Sequence, residues 1–344
     1  MKVFQSQNKR SLEMGKVFSS LCLLVMVSLL TQCRQEEAFY SNTLRSDVYF
    51  QNYNDQKYDF LWVFDNSGSM QPRRDYVKDN MQNFLNILNG RKAIDFQMAV
   101  VTTDYFNDNG SLVASPSGMK VVKSSESANP SADMASIINN IKDSPTSFWE
   151  QGLENAYQAI YQHKDEFSRP GVPLVVVFLT DEEDWSCKDD CFGVEPENNL
   201  NWKPWPMTRY IEFFQNVKKS ENSEVHAFPI VGIDSKLCDV ASLGKRYMEL
   251  QAELSDISVS GSICNSDLKE SYEGIARTIA DRGVRFKLSS LASGVGINVI
   301  VNGELVPYSP ENYFYEAETN SIVFTGAIPK KGAVVEVNYA QLTK

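Results

Sequence analysis

The sequence predicts an α/β protein: a doubly wound, mostly parallel sheet followed by a small all-β C-terminal module. Three observations predict it. From Tyr58 onward, apolar runs of strand length alternate with stretches of helical period. One run, residues 172–180, is almost continuously apolar, as a central strand covered on both faces must be. After Gly283 the helical period disappears, and short strands separated by turn residues replace it. A chain of 344 residues, 42% apolar and 22% charged, is long enough for one large domain plus a small one.

Residues 1–33 stand apart from this fold. Lys9, Arg10 and Lys16 precede an apolar stretch, residues 17–30, that is too short to span a membrane comfortably. Leu30-Thr31-Gln32-Cys33 resembles the end of a bacterial lipoprotein signal. That resemblance implies export, cleavage and a lipid on Cys33 that anchors the chain in the envelope; the outer membrane or cell surface is favoured over the inner membrane, which stays open. Gln32 departs from the pattern, which normally has a small residue there, so a plain secretory signal and an uncleaved anchor stay open. A start at Met14 would only shorten the leader.

Residues 34–55 are polar with scattered aromatics and read as a tether ending in a short strand. Residues 56–283 carry the alternation. A strand at 58–65 precedes a helix with Val77, Met81, Phe84, Leu85 and Leu88 on one face, which stops at Gly90. A strand at 96–103 follows, then an edge hairpin at 111–123 around Ser115-Pro116-Ser117-Gly118. Helices are expected near 132–142 and from 149, the second through Leu153, Ala156, Tyr157 and Ile160. The central strand at 172–180 tolerates Pro173 because it falls at the start. A long loop then leads to a helix carrying Tyr210, Phe213, Phe214 and Val217. A strand at 224–231 and a helix at 267–282 complete this part. In the module, residues 284–344, strands are expected at 297–301 and 304–306 around an Asn302-Gly303 turn, and at 313–316, 321–325 and 334–339.

The formal net charge of −11 argues against a nucleic-acid partner, which needs a basic footprint. Loss of the leader would deepen it to about −14. Of six cysteines, Cys22 lies in the leader and Cys33 is the lipidation candidate. The even remainder in an exported chain suggests disulfides, most simply Cys187–Cys191 and Cys238–Cys264. A four-cysteine zinc site competes, although the spacings are not paired CxxC.

The chemistry concentrates where the first strand ends. Asp65-Asn66-Ser67-Gly68-Ser69 puts one carboxylate and two hydroxyls at alternate positions in a tight turn. Such oxygens suit a hard cation such as Mg²⁺. The plain alternative is a polar loop capping a helix. The motif resembles the first metal-binding segment of the von Willebrand factor A family, the metal-ion-dependent adhesion site. The resemblance spans about residues 56–283 and implies several things. Asp181, after the central strand, would be the second carboxylate, although Thr180-Asp181-Glu182-Glu183-Asp184 departs from the usual Thr-Asp-Gly. The remaining hydroxyl would come from Ser147 or Thr146, with Glu150 replacing or supplementing it. Asp104 and Glu182 are auxiliary candidates. The implied cofactor is Mg²⁺, with Mn²⁺ or Ca²⁺ as substitutes, and the implied partner is a protein whose Asp or Glu completes the metal shell. Members of the family usually bind rather than catalyse.

Other readings compete. A periplasmic scaffold or assembly factor would use the same site on a partner subunit. A phosphatase of the haloacid-dehalogenase type needs a second Asp two positions after the nucleophile, and Ser67 stands there. Trp185, Trp202 and Trp205 are either partner-contact anchors or packing around a disulfide.

Overall fold

The computed structural model describes residues 40–51, 57–90, 93–144, 150–188, 203–234, 241–254, 261–264, 268–326 and 328–343. Its larger part is built on a six-stranded sheet. In chain order the elements are β1 (Tyr40–Phe50), β2 (Lys57–Phe64), α1 (Gln71–Asp79), α2 (Met81–Leu88), β3 (Asp95–Thr102), the one-turn α3 (Tyr105–Asp108), β4 (Val121–Lys123), α4 (Pro130–Ile138) and α5 (Gly152–Phe167). They continue with β5 (Leu174–Leu179), α6 (Met207–Asn216), β6 (Val225–Val231), α7 (Lys245–Leu254), β7 (Gly261–Ser262) and α8 (Lys269–Asp281). The module adds β8 (Arg285–Lys287), β9 (Asn298–Val301), β10 (Glu304–Val306), β11 (Tyr313–Glu316), β12 (Ser321–Phe324) and β13 (Val334–Thr343).

The sheet order is β4-β3-β2-β5-β6-β7, parallel except for β4 at one edge. β2 shows why the sequence reads as it does. Phe60, Trp62 and Phe64 enter one core with Val77, Met81 and Phe84 of the α1–α2 segment and Tyr272 of α8. Leu61 and Val63 enter the other, against Leu153 and Ile160 of α5, Tyr210 of α6 and Tyr247 of α7. Alternate side chains thus serve opposite layers, so every residue of β2 after Lys57 is buried. Each large side chain removed from water contributes about 1.5–3 kcal/mol. The winding reverses between β2 and β5, and their carboxyl ends therefore border the crevice where such sheets bind ligands.

Several elements depart from expectation. The helix read as continuous from Val77 to Leu88 breaks at Asn80, whose side-chain amide donates to Tyr76 O at 2.8 Å. Of the expected edge hairpin only β4 is a strand, although Val113 N–H donates to Val100 O at 2.8 Å. α7 carries only three buried residues (Tyr247, Leu250 and Gln251) and gave no apolar stripe to read.

The largest departure is the stretch taken as a tether. Residues 40–50 form an eleven-residue strand paired antiparallel with β13, in a sheet ordered β1-β13-β9-β10. Its pattern is inverted relative to an ordinary edge strand: Leu44 and Phe50 are 84% and 69% exposed, while Asp47 and Tyr49 face the module. Asp47 accepts from Ser289 N–H at 2.7 Å and from the Tyr339 hydroxyl at 2.9 Å. Tyr49 meets Phe286 edge-on at 5.4 Å. A second sheet, β11-β12-β8, closes the module around Phe286, Ile322, Phe324, Val335 and Val337. Asn302 and Gly303 both take positive φ, 51° and 85°, as the β9–β10 hairpin turn requires. Gln51 links the two parts, its amide donating to Gly283 O at 2.6 Å and Pro329 O at 3.0 Å. Among the described residues, no helix is long and apolar enough to cross a membrane.

Candidate functional site

Asp65 follows directly from β2, and its N–H donates to Leu179 O at 3.0 Å, which extends the pairing with β5 by one residue. Its carboxylate is fully buried. One oxygen accepts from Ser67 N–H at 2.7 Å and the other from the Thr180 hydroxyl at 2.7 Å. The Ser67 and Ser69 hydroxyl oxygens lie 3.0 Å apart, and the Ser69 hydroxyl donates to Asp181. Asp65, Ser67, Ser69 and Asp181 are therefore joined by one run of hydrogen bonds across the crevice between β2 and β5.

The turn is held from below. Arg74 of α1, only 2% exposed, donates to Asp65 O at 2.8 Å and Ser67 O at 2.9 Å. Its second terminal nitrogen reaches Gln71 Oε1 at 2.7 Å and pairs with Asp143. A guanidinium fork fits this task because its donors are fixed in one plane.

A third carboxylate lies beside the site. Glu150, fully buried just before α5, accepts from the Thr103 hydroxyl at the end of β3. Its Oε1 and Asp181 Oδ1 have no hydrogen-bond partner among the described residues. Burial pushes the Glu150 carboxyl well above the usual range, and the charge of Asp65 adds to it. Burial likewise raises Asp181, again reinforced by Asp65. Asp65 itself is raised by burial, against hydrogen bonds from Ser67 and Thr180 that oppose the shift. Buried carboxylates with unmatched oxygens are costly unless protonated or met by a cation. Among the described residues no three His, Cys, Asp or Glu side chains converge on one point, so hydroxyls must share the work.

The remaining candidates separate clearly. Thr146 and Ser147 lie outside the described residues, as do Cys191, Cys238 and Trp202; both cysteine pairings thus stay expectations. Asp104 caps α3, its oxygens accepting from Asn107 N–H at 3.2 Å and the Asn107 amide at 2.6 Å, and only its charge bears on Glu150. Glu182 is half-buried and also raises Glu150 by its charge. The rest of the acidic run turns away. Glu183 accepts from Lys245 N–H and Arg246 N–H at the start of α7. Asp184 is fully buried against Arg246 at 2.9 Å. Trp185 is half-buried, its N–H donating to Glu150 O at 2.7 Å. Trp205 packs on the α5–α7 layer with the Arg209 guanidinium 4.4 Å above its ring, a packing role. Thr180, Thr103 and Arg74 were not singled out from sequence as site residues; only Thr180 carried a signal, as the hydroxyl adjoining Asp181.

Residues 59–200 match the family described as the von Willebrand factor type A domain. The chain carries an A-domain fold. Solved structures of low similarity include the pilus adhesin SpaC from Lactobacillus rhamnosus GG, at 13% identity and a TM-score of 0.43, covering 88% of this chain and 42% of the adhesin. The open conformation of the same adhesin gives 11% identity and the same TM-score and coverage. Proximal thread matrix protein 1 of the mussel byssus gives 13% identity and a TM-score of 0.38, over 70% of this chain and 51% of that one. The chain thus spans less than half of the adhesin's length. No curated protein matches it.

Proposed function

We propose that this A-domain protein recognises a partner protein at the cell surface through a divalent metal held between β2 and β5. One observation carries the reading. Asp65 and Asp181 are bridged by the Ser67 and Ser69 hydroxyls, while Asp181 Oδ1 and Glu150 Oε1 have no partner among the described residues. That donor set fits a hard, oxygen-preferring cation. Asp65, Ser67, Ser69 and Asp181 would hold Mg²⁺, or Mn²⁺ or Ca²⁺ in its place, with Ser147 or Thr146 completing the set. When bound, the metal supplies an electron-poor point at which a partner's Asp or Glu docks. Glu150 neutralises part of that charge and so tempers the pull on the incoming acid. Thr180 and Arg74 keep the turn in shape. The reading is non-catalytic.

Anchoring is the second half of the proposal. A lipid on Cys33 would lie only seven positions before β1, a reach of at most about 25 Å. Disulfides Cys187–Cys191 and Cys238–Cys264 would brace the loops after β5 and β6.

The test is the pair Asp65→Ala and Ser67→Ala, followed by Mg²⁺ titration calorimetry and by attachment of cells displaying the protein. Loss of both metal affinity and attachment is expected. Unchanged attachment in a folded, normally expressed variant would refute adhesion through the metal. Surface labelling of intact cells separates this reading from a periplasmic scaffold, which stays unlabelled.

A further inference from the structure

Among the described residues β1 pairs with β13 alone, so its other side is an open sheet edge. This edge is eleven residues long and contains neither proline nor lysine, two of the usual guards against pairing with another chain. Its one irregularity lies near the start, between Ser41 and Thr43, and residues 43–50 then run in unbroken register with β13.

The ladder fixes which main-chain groups face outward. Val334 O accepts from Asn302 N–H at 2.9 Å and Ala340 O from Ser293 N–H at 2.9 Å, so the even positions of β13 turn away from β1. Leu44 pairs with Ala340 and Phe50 with Val334, with Ser46 and Val48 between them. In an antiparallel ladder both members of such a pair point away from each other. Leu44, Ser46 and Val48 therefore turn their N–H and C=O groups to the open edge. Their side chains lie on the outer face of the sheet, where Leu44, Val48 and Phe50 are exposed.

The side chains select one occupant for this edge. Two antiparallel copies of β1 centred on Ser46 set Leu44 opposite Val48 twice on the outer face. On the other face they set Arg45 opposite Asp47 twice. Asp47, held by Ser289 and Tyr339, presents a fixed carboxylate there. Moving the centre by one residue puts Asp47 or Arg45 against its own copy, and like charges directly opposite are destabilising. The outward groups match as well, since this register brings even positions together at 44 with 48 and at 46 with 46.

We infer that β1 pairs antiparallel with β1 of a second copy of this chain, with the two-fold axis at Ser46. The two four-stranded sheets become one sheet of eight strands, and the pairing uses no residue of the metal site.

The full chain tests this. Sedimentation velocity should show a dimer at micromolar concentration. Ser46→Pro removes an outward N–H and leaves the bonds to β13 in place, as an edge position permits. It deletes two hydrogen bonds per dimer and should weaken self-association about tenfold. Arg45→Glu, which faces a carboxylate with another, should weaken it as well. Cysteine cross-linking reads the register without disturbing the edge. Copies of residue 46 would stand about 5.5 Å apart at Cα, within disulfide reach. Copies of residue 44 would lie about 13 Å apart along the strands. Mild oxidation should thus link Ser46→Cys into a reducible dimer and spare Leu44→Cys, whereas the double variant Leu44→Cys/Val48→Cys should link. A monomer at every concentration, a dimer indifferent to Ser46→Pro, or equal linking of Leu44→Cys and Ser46→Cys overturns the inference. So does a monomer that needs Leu44 and Val48 to co-sediment with phosphatidylglycerol vesicles, which would assign the apolar face to a lipid surface.

Discussion

Thr180 holds a buried charge in place with a single hydroxyl, which makes it a sharp probe of the site. Its bond to Asp65 at 2.7 Å opposes the upward push of burial on that carboxyl. Thr180→Val keeps the shape and removes the donor, so Mg²⁺ affinity should fall about tenfold and stability by about 1–3 kcal/mol. Calorimetry and denaturant melts read the two effects separately. Glu150 gives a pH signature. Its folded-state pKa is raised, so its contribution to stability is complete below the ordinary carboxylate value and is lost as pH rises through the folded value. Glu150→Gln, which mimics the protonated form, should therefore stabilise the metal-free protein at pH 7.5, with the gain shrinking toward pH 4.5. Paired melts across that window check the sign. Asp65, Ser67 and Ser69 stood out in the sequence because a strand pattern runs into them. Asp181 needed the family resemblance as well. Thr103 and Arg74 were invisible, because their roles come from contacts across the fold with residues 47 and nine positions away.

At the scale of elements, β2, β3, β5 and β6 were legible because burial on both faces leaves an unbroken apolar run. β1 was legible only as a short strand closing a tether, since its apolar side chains point to solvent and its polar ones are engaged by the module. β7, two residues long, is too short to show any period. The strand role of β1 has a direct consequence. Deleting residues 40–50 uncovers the edge of β13, and the module should lose cooperative unfolding in calorimetry; removal of a mere tether would leave the transition unchanged. Ile322→Ala, in a fully buried position of β12, should cost the module about 2–5 kcal/mol in denaturant melts.

Across the whole molecule, the two ends of the parallel sheet have different duties. The carboxyl ends of β2 and β5 carry the candidate site. The amino ends face the module, where Gln51 meets Gly283 and Lys331 donates to Asn222 O at 2.9 Å. A lipid at Cys33 and a partner at Asp65 would thus be joined by one uninterrupted stretch of chain, through β1 and then β2. Were the proposed partner pulled away from the proposed anchor, tension would run along those two strands. β2 is flanked by parallel neighbours on both sides along nearly its full length, so its hydrogen bonds are loaded together in shear and do not unzip one at a time. With the proposed lipid and partner in place, the grip would sit at one end of the stressed strand and the tie at the other.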